Sequence, residues 1–401
     1  MYNENMFRDL SNYKLVWEVT ADGKSALSGA IDEINLPAGM SINLALGYKD
    51  VAIDNLDGEV ILIVKYLLKS DEQLLKAGHC VAYNQMVIRE YDAQAEFEKC
   101  RQSGAGELKV DYDKRRVSGD DFEITFAGKG YLSSYKLAGK ELITKPIEPL
   151  FYRAMTENDY GVRKRATNTV YYHSWKAFRK IACYMDLFLI EEQQGCVKVT
   201  TQYSYGELGM VVTVKYTIDA EGKVTISETM RPGGAKIDIR GMLRYGMAFA
   251  MPDSFKNIEF YGAGAAESYV DRKSGTPIGI YNQSVDSQFC MTYSRPQESG
   301  SHCDLRYWTI TDDSGCGVRV QSNILFAASA LPYAMDQYDI LSENYRKYPQ
   351  LLTKDGNTYV NIDMAQSGLI CENSWGAIAL EQYRIPYTNH NFEFVIIPVR
   401  R

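Results

Sequence analysis

From Val197 onward the apolar residues fall on every second position. Val197, Val199, Tyr203 and Tyr205 alternate with Lys198, Thr200, Gln202 and Ser204, and Val212, Val214, Tyr216 and Ile218 alternate with Thr213, Lys215 and Thr217. Successive side chains of a strand face opposite sides of its sheet, so this pattern predicts antiparallel strands with one buried face. Asp219 to Gly222 reads as a turn, after which Val224 and Ile226 resume the period. Strand signals of this kind run from about 107 to 401 with few helices between them, which is too much sheet for a simple sandwich and predicts a large two-sheet architecture. The 30 tyrosines suit such half-buried pleated surfaces. No internal repeat or low-complexity tract is visible.

Residues 1–98 read as a smaller β-sandwich of immunoglobulin-like or fibronectin-like pattern. Tyr13 to Val19 is a strand, Asp22-Gly23 is a hairpin turn signal with a return strand from Ala26, and further strands are predicted at Val60 to Leu68 and Cys80 to Ile88. Ser70 to Gln73 could start one helical turn. His79 reads as a histidine pinned by hydrogen bonds at a strand start rather than a ligand or base, because no His, Cys or acidic cluster stands near it. Residues 99–106 are polar and carry Gly104 and Gly106, which places a linker there, with the large unit at 107–401. The predicted class is all-β.

A chain of 401 residues has room for two or three cores. Its net charge of −7, with no basic cluster, argues against nucleic acid as a partner. The eight cysteines form no Cys-x-x-Cys pair and no ligand spacing with a histidine, so neither a metal nor a redox motif is supported. They read as small buried hydrophobes in a reducing compartment, hence a cytoplasmic location. The polar Tyr2 to Asn5 argues against a secretory signal at this end, and the longest apolar run, Val60 to Val64, is far short of a membrane span.

Function is sought first in Phe151 to Val162, which is too polar for a core and reads as a tight loop. Glu157, Asn158 and Asp159 supply hydrogen-bonding groups, and Gly161 gives access to dihedrals closed to other residues. Binding groups tend to sit on loops held by a rigid scaffold, and the competing reading is a well-capped connection between strands. A second candidate is Trp375 in Gly368 to Gly376. An indole face packs on the apolar C–H face of a pyranose, and the alternative for any Trp is core or interface packing, the role assigned to Trp175 and Trp308. Tyr261 to Glu267 fails as a dinucleotide-binding turn, because its third small position is Glu267 and strands surround it.

Several motifs together resemble the C-terminal portion of the lac-type β-galactosidases of glycoside hydrolase family 2. Arg153-Ala154-Met155-Thr156-Glu157-Asn158-Asp159-Tyr160-Gly161 is similar to the family's Arg-Ala-x-x-Asp-Asn-Asp-x-Gly, with Glu157 for one Asp. Gly262-x-Gly264-x-x-Glu267-x-Tyr269-x-Asp271-Arg272 is similar to Gly-x-Gly-Pro-x-Glu-x-Tyr-x-Asp-Arg, with Ala265 for the Pro. Arg295 to Gly300 with Asp304-x-Arg306, and Asn373-Ser374-Trp375-Gly376, match further stretches in the family's order, while Leu10 to Glu18 and Ala77 to Gln85 resemble its fourth domain.

The resemblance implies an immunoglobulin-like domain followed by a supersandwich of the galactose-mutarotase-like kind. It implies that Trp375 reaches the sugar subsite and that Asn158, Asp159 and Gly161 belong to a mobile loop beside it. Glu267, Arg272, Glu298 and Arg306 take structural roles. Glu298 alone carries no glycoside chemistry, since retaining hydrolysis needs two carboxyls about 5 Å apart. In the family the catalytic glutamates and the Mg and Na sites lie in a (β/α)₈ barrel of about 250 residues, and nothing here reads as alternating strand and helix. The chain alone is therefore expected to be inactive, to contain no catalytic residue and no cofactor of its own, and to complete the pocket of a β-galactosidase barrel for a terminal galactoside. Two alternatives remain: a self-contained aldose 1-epimerase, needing a carboxylate base and a His in one cleft from among His173, His302 and His390, and a free-standing sugar-binding protein.

Overall fold

The structure is a computed structural model that describes residues 1–50, 53–102, 104, 106–370, 372–373 and 375–400. The chain divides into two compact units, Met1–Asp92 and Ala93–Arg401.

The first unit is one four-stranded antiparallel sheet of β1 (Tyr13–Ala21), β2 (Lys24–Ile31), β3 (Val60–Leu68) and β4 (Cys80–Arg89), in the order β2-β1-β3-β4. Asp22 and Gly23 both take positive φ, 47° and 75°, as a two-residue hairpin turn of the twist-compatible kind requires. The apolar face, Leu15, Val19, Val60, Leu62 and Val64, packs with Ile34, Leu36, Leu44 and Leu46. The layer opposite the sheet is thus built from the irregular segment after β2. Trp17 lies flat against Gly29, where a Cβ would come within 2.4 Å of the indole. Residues 70–73 form no helical turn. Gln73 has φ 46°, and Glu72 bridges to Leu75 instead.

The second unit opens with α1 (Ala93–Arg101), which buries Phe97. This helix runs into the stretch read as a linker, and the division between units falls at Asp92/Ala93 rather than at 99. Ser103 and Ala105 of that stretch lie outside the described residues. A small sheet follows: β5 (Lys109–Asp111), β6 (Arg116–Ser118), β7 (Phe122–Ala127), β8 (Tyr131–Leu137) and β9 (Lys140–Glu141). After β10 (Lys145–Leu150) come two short helices, α2 (Glu157–Gly161) and α3 (Thr169–Ala177). The remaining strands are β11 (Tyr184–Gln193), β12 (Cys196–Tyr205), β13 (Met210–Asp219), β14 (Val224–Pro232), β15 (Arg244–Pro252), β16 (Asn257–Ala263), β17 (Ile278–Ser284), β18 (His302–Leu305), β19 (Tyr307–Thr311), β20 (Gly317–Ser322), β21 (Phe326–Leu331), β22 (Asn357–Gln366) and β23 (His390–Val399).

They form a nine-stranded sheet, β11-β12-β13-β14-β23-β20-β19-β16-β17, and a five-stranded one, β10-β15-β22-β21-β18. The alternation read from the sequence is the register observed: Val212, Val214, Tyr216 and Ile218 on β13 are buried, as are Val224, Ile226 and Met230 on β14. These join Tyr245, Met247, Val360 and Ile362 of the five-stranded sheet in one contiguous apolar cluster. Each such side chain contributes roughly 1.5–3 kcal/mol by leaving water. The fold class is all-β. Among the described residues no helix is long and apolar enough to cross a membrane.

Candidate functional site

The stretch from Phe151 to Val162 is not the exposed loop its polarity suggests. Phe151, Tyr152, Arg153, Ala154, Met155, Thr156, Asp159 and Val162 are all buried. Burial is possible because the charges are matched: Arg153 Nη1 donates to Asp159 Oδ2 at 2.6 Å, with both side chains fully enclosed. Asp159 also closes a capping box on α2, accepting from Thr156 N at 2.8 Å while its own N–H bonds Thr156 Oγ1 at 3.1 Å. Gly161 sits at ordinary helical dihedrals, φ −66° and ψ −28°, so the conformational freedom anticipated for it is unused here.

What Arg153 and α2 hold is the segment leading to Trp375. Arg153 Nη2 donates to the carbonyls of Ser367 and Gly368, both at 3.3 Å, and Asn158 Nδ2 donates to Leu369 O at 3.2 Å and Ile370 O at 2.8 Å. From the other side Asp271 accepts from the N–H groups of Leu369 at 2.9 Å and Ile370 at 3.1 Å. Both amide donors and both carbonyls of one dipeptide are therefore met by side chains, which is how irregular backbone stays in a packed interior. The segment then emerges, and Trp375 is 84% exposed. Asn168 Nδ2 donates to Gly376 O at 2.8 Å. Cys371 and Ser374 lie outside the described residues.

Glu267 binds Arg272, accepts from Tyr293 Oη at 2.5 Å and from Gly300 N at 2.6 Å, and so joins 267–272 to 293–300. The peptide Gly264–Ala265 is cis. The 295–297 turn meets α2, where Glu157 N donates to Gln297 Oε1 at 3.0 Å. Glu298 is buried and takes a hydrogen bond from Arg244 Nη2 at 3.1 Å, while Arg244 Nε lies 3.2 Å from Asp363 Oδ2. Two carboxyls thus share one guanidinium. Burial pushes Asp363 up to about 7, with Arg244 opposing and Glu298 adding, and burial likewise raises Glu298 against the pull of Arg244 and Arg153. Arg306 stands apart, donating to Asp304 O at 2.7 Å over the Tyr261 ring.

The other sequence candidates have plain surroundings. His79 is exposed, and its backbone rather than its ring makes the bonds, from Leu68 N to His79 O at 3.0 Å and from His79 N to Lys76 O at 3.0 Å. His302 is buried against Phe260, with Nε2 2.9 Å from Gln288 Oε1, and burial lowers its pKa to about 4. Trp175 and Trp308 are buried as packing. Of the described cysteines only Cys303 is buried, and Cys80 is exposed on β4, an edge strand of which no residue is buried on either face. Among the described residues no group of three or more His, Cys, Asp or Glu is placed to hold a metal ion.

Thus Asn158, Asp159, Gly161, Glu267, Arg272, Glu298 and Trp375 fall into one connected end of the unit, with Arg306 outside it. Asp271 and Arg153, which complete the support, stand inside the matched motifs. Asn168, Arg244 and Asp363 carry no sequence signal.

Residues 118–396 match the family model described as beta galactosidase small chain, and residues 1–89 match that of beta-galactosidase, domain 4. The chain belongs to the beta galactosidase small chain family. A β-galactosidase of Halalkalibacterium halodurans is 27% identical over 98% of this chain and 37% of its own length. One of Streptococcus thermophilus is 27% identical over 99% and 37%, and one of Lactobacillus delbrueckii subsp. bulgaricus 30% identical over 93% and 35%. The chain therefore spans about a third of the length of these curated relatives. A galactose 1-epimerase structure from Lactobacillus acidophilus is 9% identical, with a TM-score of 0.37 over 72% of this chain and 93% of that one, a likeness too slight to bear on function.

Proposed function

We propose that this chain is the non-catalytic C-terminal portion, or small subunit, of a β-galactosidase that hydrolyses terminal β-galactosides, and that it completes the sugar pocket of a (β/α)₈ barrel lying outside it. The observation that carries the reading is Trp375, 84% exposed and following a dipeptide, Leu369-Ile370, whose backbone the half-buried Asn158 and Asp271 hold. An exposed indole on a mobile tip loses entropy on stacking, whereas one on a fixed turn offers a ready apolar platform for the C–H face of galactose. Leu351, Tyr348 and Leu380 are also exposed, and exposed apolar side chains of this kind suit a partner surface.

In this reading the chain's own residues orient the sugar and exclude water, while the acid/base and nucleophile carboxyls belong to the barrel. The Mg²⁺ and Na⁺ that the family resemblance implies belong there too, and the residues of this chain are assigned no part in holding them. A cytoplasmic location is part of the same proposal, supported by free thiols at Cys80, Cys290 and Cys303. The test is hydrolysis of a β-galactoside by the purified chain alone and after mixing with the barrel-bearing part from the same source. Silence alone with turnover on mixing is expected. Turnover by the single chain would overturn the reading.

A further inference from the structure

Asn168 occupies the N-cap position of α3, where an Asn side chain ordinarily accepts a hydrogen bond from the first turn of its helix. Here it makes no such bond. Its Oδ1 accepts from Thr167 Oγ1 at 3.3 Å, and its Nδ2 reaches across to the carbonyl of Gly376 at 2.8 Å, 208 residues along the chain and directly after Trp375. Gly376 has φ 91°, and a Cβ there would come within 2.8 Å of Arg165 Cβ and 3.6 Å of Gly161 O, so the 161–168 turn is seated against the backbone at this point. Before Trp375 the chain is gripped at Leu369 and Ile370 by Asn158 and Asp271. After it, Asn168 supplies the side-chain bond to Gly376.

We propose that Asn168 is a positioning residue for Trp375, giving up the cap of α3 to fix the far side of the turn that presents the indole. It thereby makes the 161–168 turn and the Trp375 turn one mechanical piece. The consequence for turnover rests on the sugar-platform reading above, whereas the mechanical coupling does not.

The discriminating variant is Asn168→Asp, which keeps size and shape and caps a helix as well as Asn, but offers no N–H to Gly376 O. In the assembled β-galactosidase, loss of a hydrogen bond of ordinary strength corresponds to about a three- to tenfold rise in KM. We expect that rise with kcat little changed, an unfolding midpoint equal to or above the parent's, and no further rise when Asn168→Asp is added to Trp375→Ala. Additive effects of the two substitutions, or an unchanged KM beside a functional Trp375, would overturn the proposal. On the chain alone, the fluorescence anisotropy assigned to Trp375 by difference from Trp375→Phe should fall in Asn168→Asp. Unchanged anisotropy overturns the proposal whatever the kinetics show. If Trp375→Ala leaves KM untouched while the anisotropy falls, the platform reading fails and the coupling stands.

Discussion

The fold controls the charge of Asp363 directly. It is fully buried on β22, shares Arg244 with Glu298, and leaves Oδ1 without a partner. Burial, with Glu298 adding and Arg244 opposing, takes its pKa from 3.8 to about 7. Between those two values the folded chain holds a proton that the unfolded chain has released, so stability falls as pH rises through the window. The contribution is absent below about 3.8 and complete above about 7. Three units at about 1.4 kcal/mol each give an upper figure of about 4 kcal/mol, and relaxation of the interior reduces it to the order of 2–4 kcal/mol. Asp363→Asn abolishes the titration and leaves Arg244 matched one-to-one with Glu298. Urea unfolding at about pH 4 and about pH 8 should show the variant close to wild type at the lower pH and more stable by that amount at the higher. Glu298 and Glu228, also raised by burial, interact with the Asp363 carboxylate, so removing that charge eases their ionisation and adds to the difference at the higher pH in the same direction. A difference independent of pH, or a variant less stable at pH 8, refutes the reasoning.

Glu228 points into the sandwich from β14 with neither carboxyl oxygen hydrogen-bonded, and burial holds its pKa well above the carboxylate range. Glu228→Leu should therefore raise stability at pH 7 by about 1–3 kcal/mol, read as a higher thermal midpoint, and a lower midpoint would mean the carboxyl has a partner in solution. Asp159→Ala strands the buried Arg153 and removes the capping box, so unfolding free energy should drop by about 3–5 kcal/mol, and a loss below about 1 kcal/mol would remove this pair as the anchor of the site. Trp375→Ala should leave the unfolding free energy of the chain within about 0.5 kcal/mol of wild type, because the indole is exposed, while weakening galactoside use by the assembled enzyme. A large stability loss would reassign Trp375 to packing.

The elements most legible in the sequence were those whose causes are local. The alternation of β12 to β14, the turn at Asp22-Gly23 and the apolar strand β3 follow from side-chain period and glycine dihedrals, and each appears at its expected place. The helix Ala93–Arg101 was not legible, since its only buried residue is Phe97 and its remaining polar side chains resemble those of a linker. Phe151 to Val162 was misread for a related reason. Polarity counts against burial only when the partners are unknown, and here they are Asp159, six residues from Arg153, and carbonyls at 367–370, more than 200 residues away.

The sequence by itself determined that this chain is mostly antiparallel sheet in its large unit, that Trp375 stands in a polar segment beside Gly376, and that its motifs are those of a β-galactosidase small chain. Tertiary structure alone decided which charges are enclosed and what they hold. Arg244, Glu298 and Asp363 come from two strands and a loop with no common motif, and Asn168 gives up its own helix for a carbonyl 208 residues on. Periodicity is written into neighbouring residues, whereas a buried ion pair or a side-chain grip on distant backbone exists only once long-range β-pairing has brought its members within about 3 Å of one another.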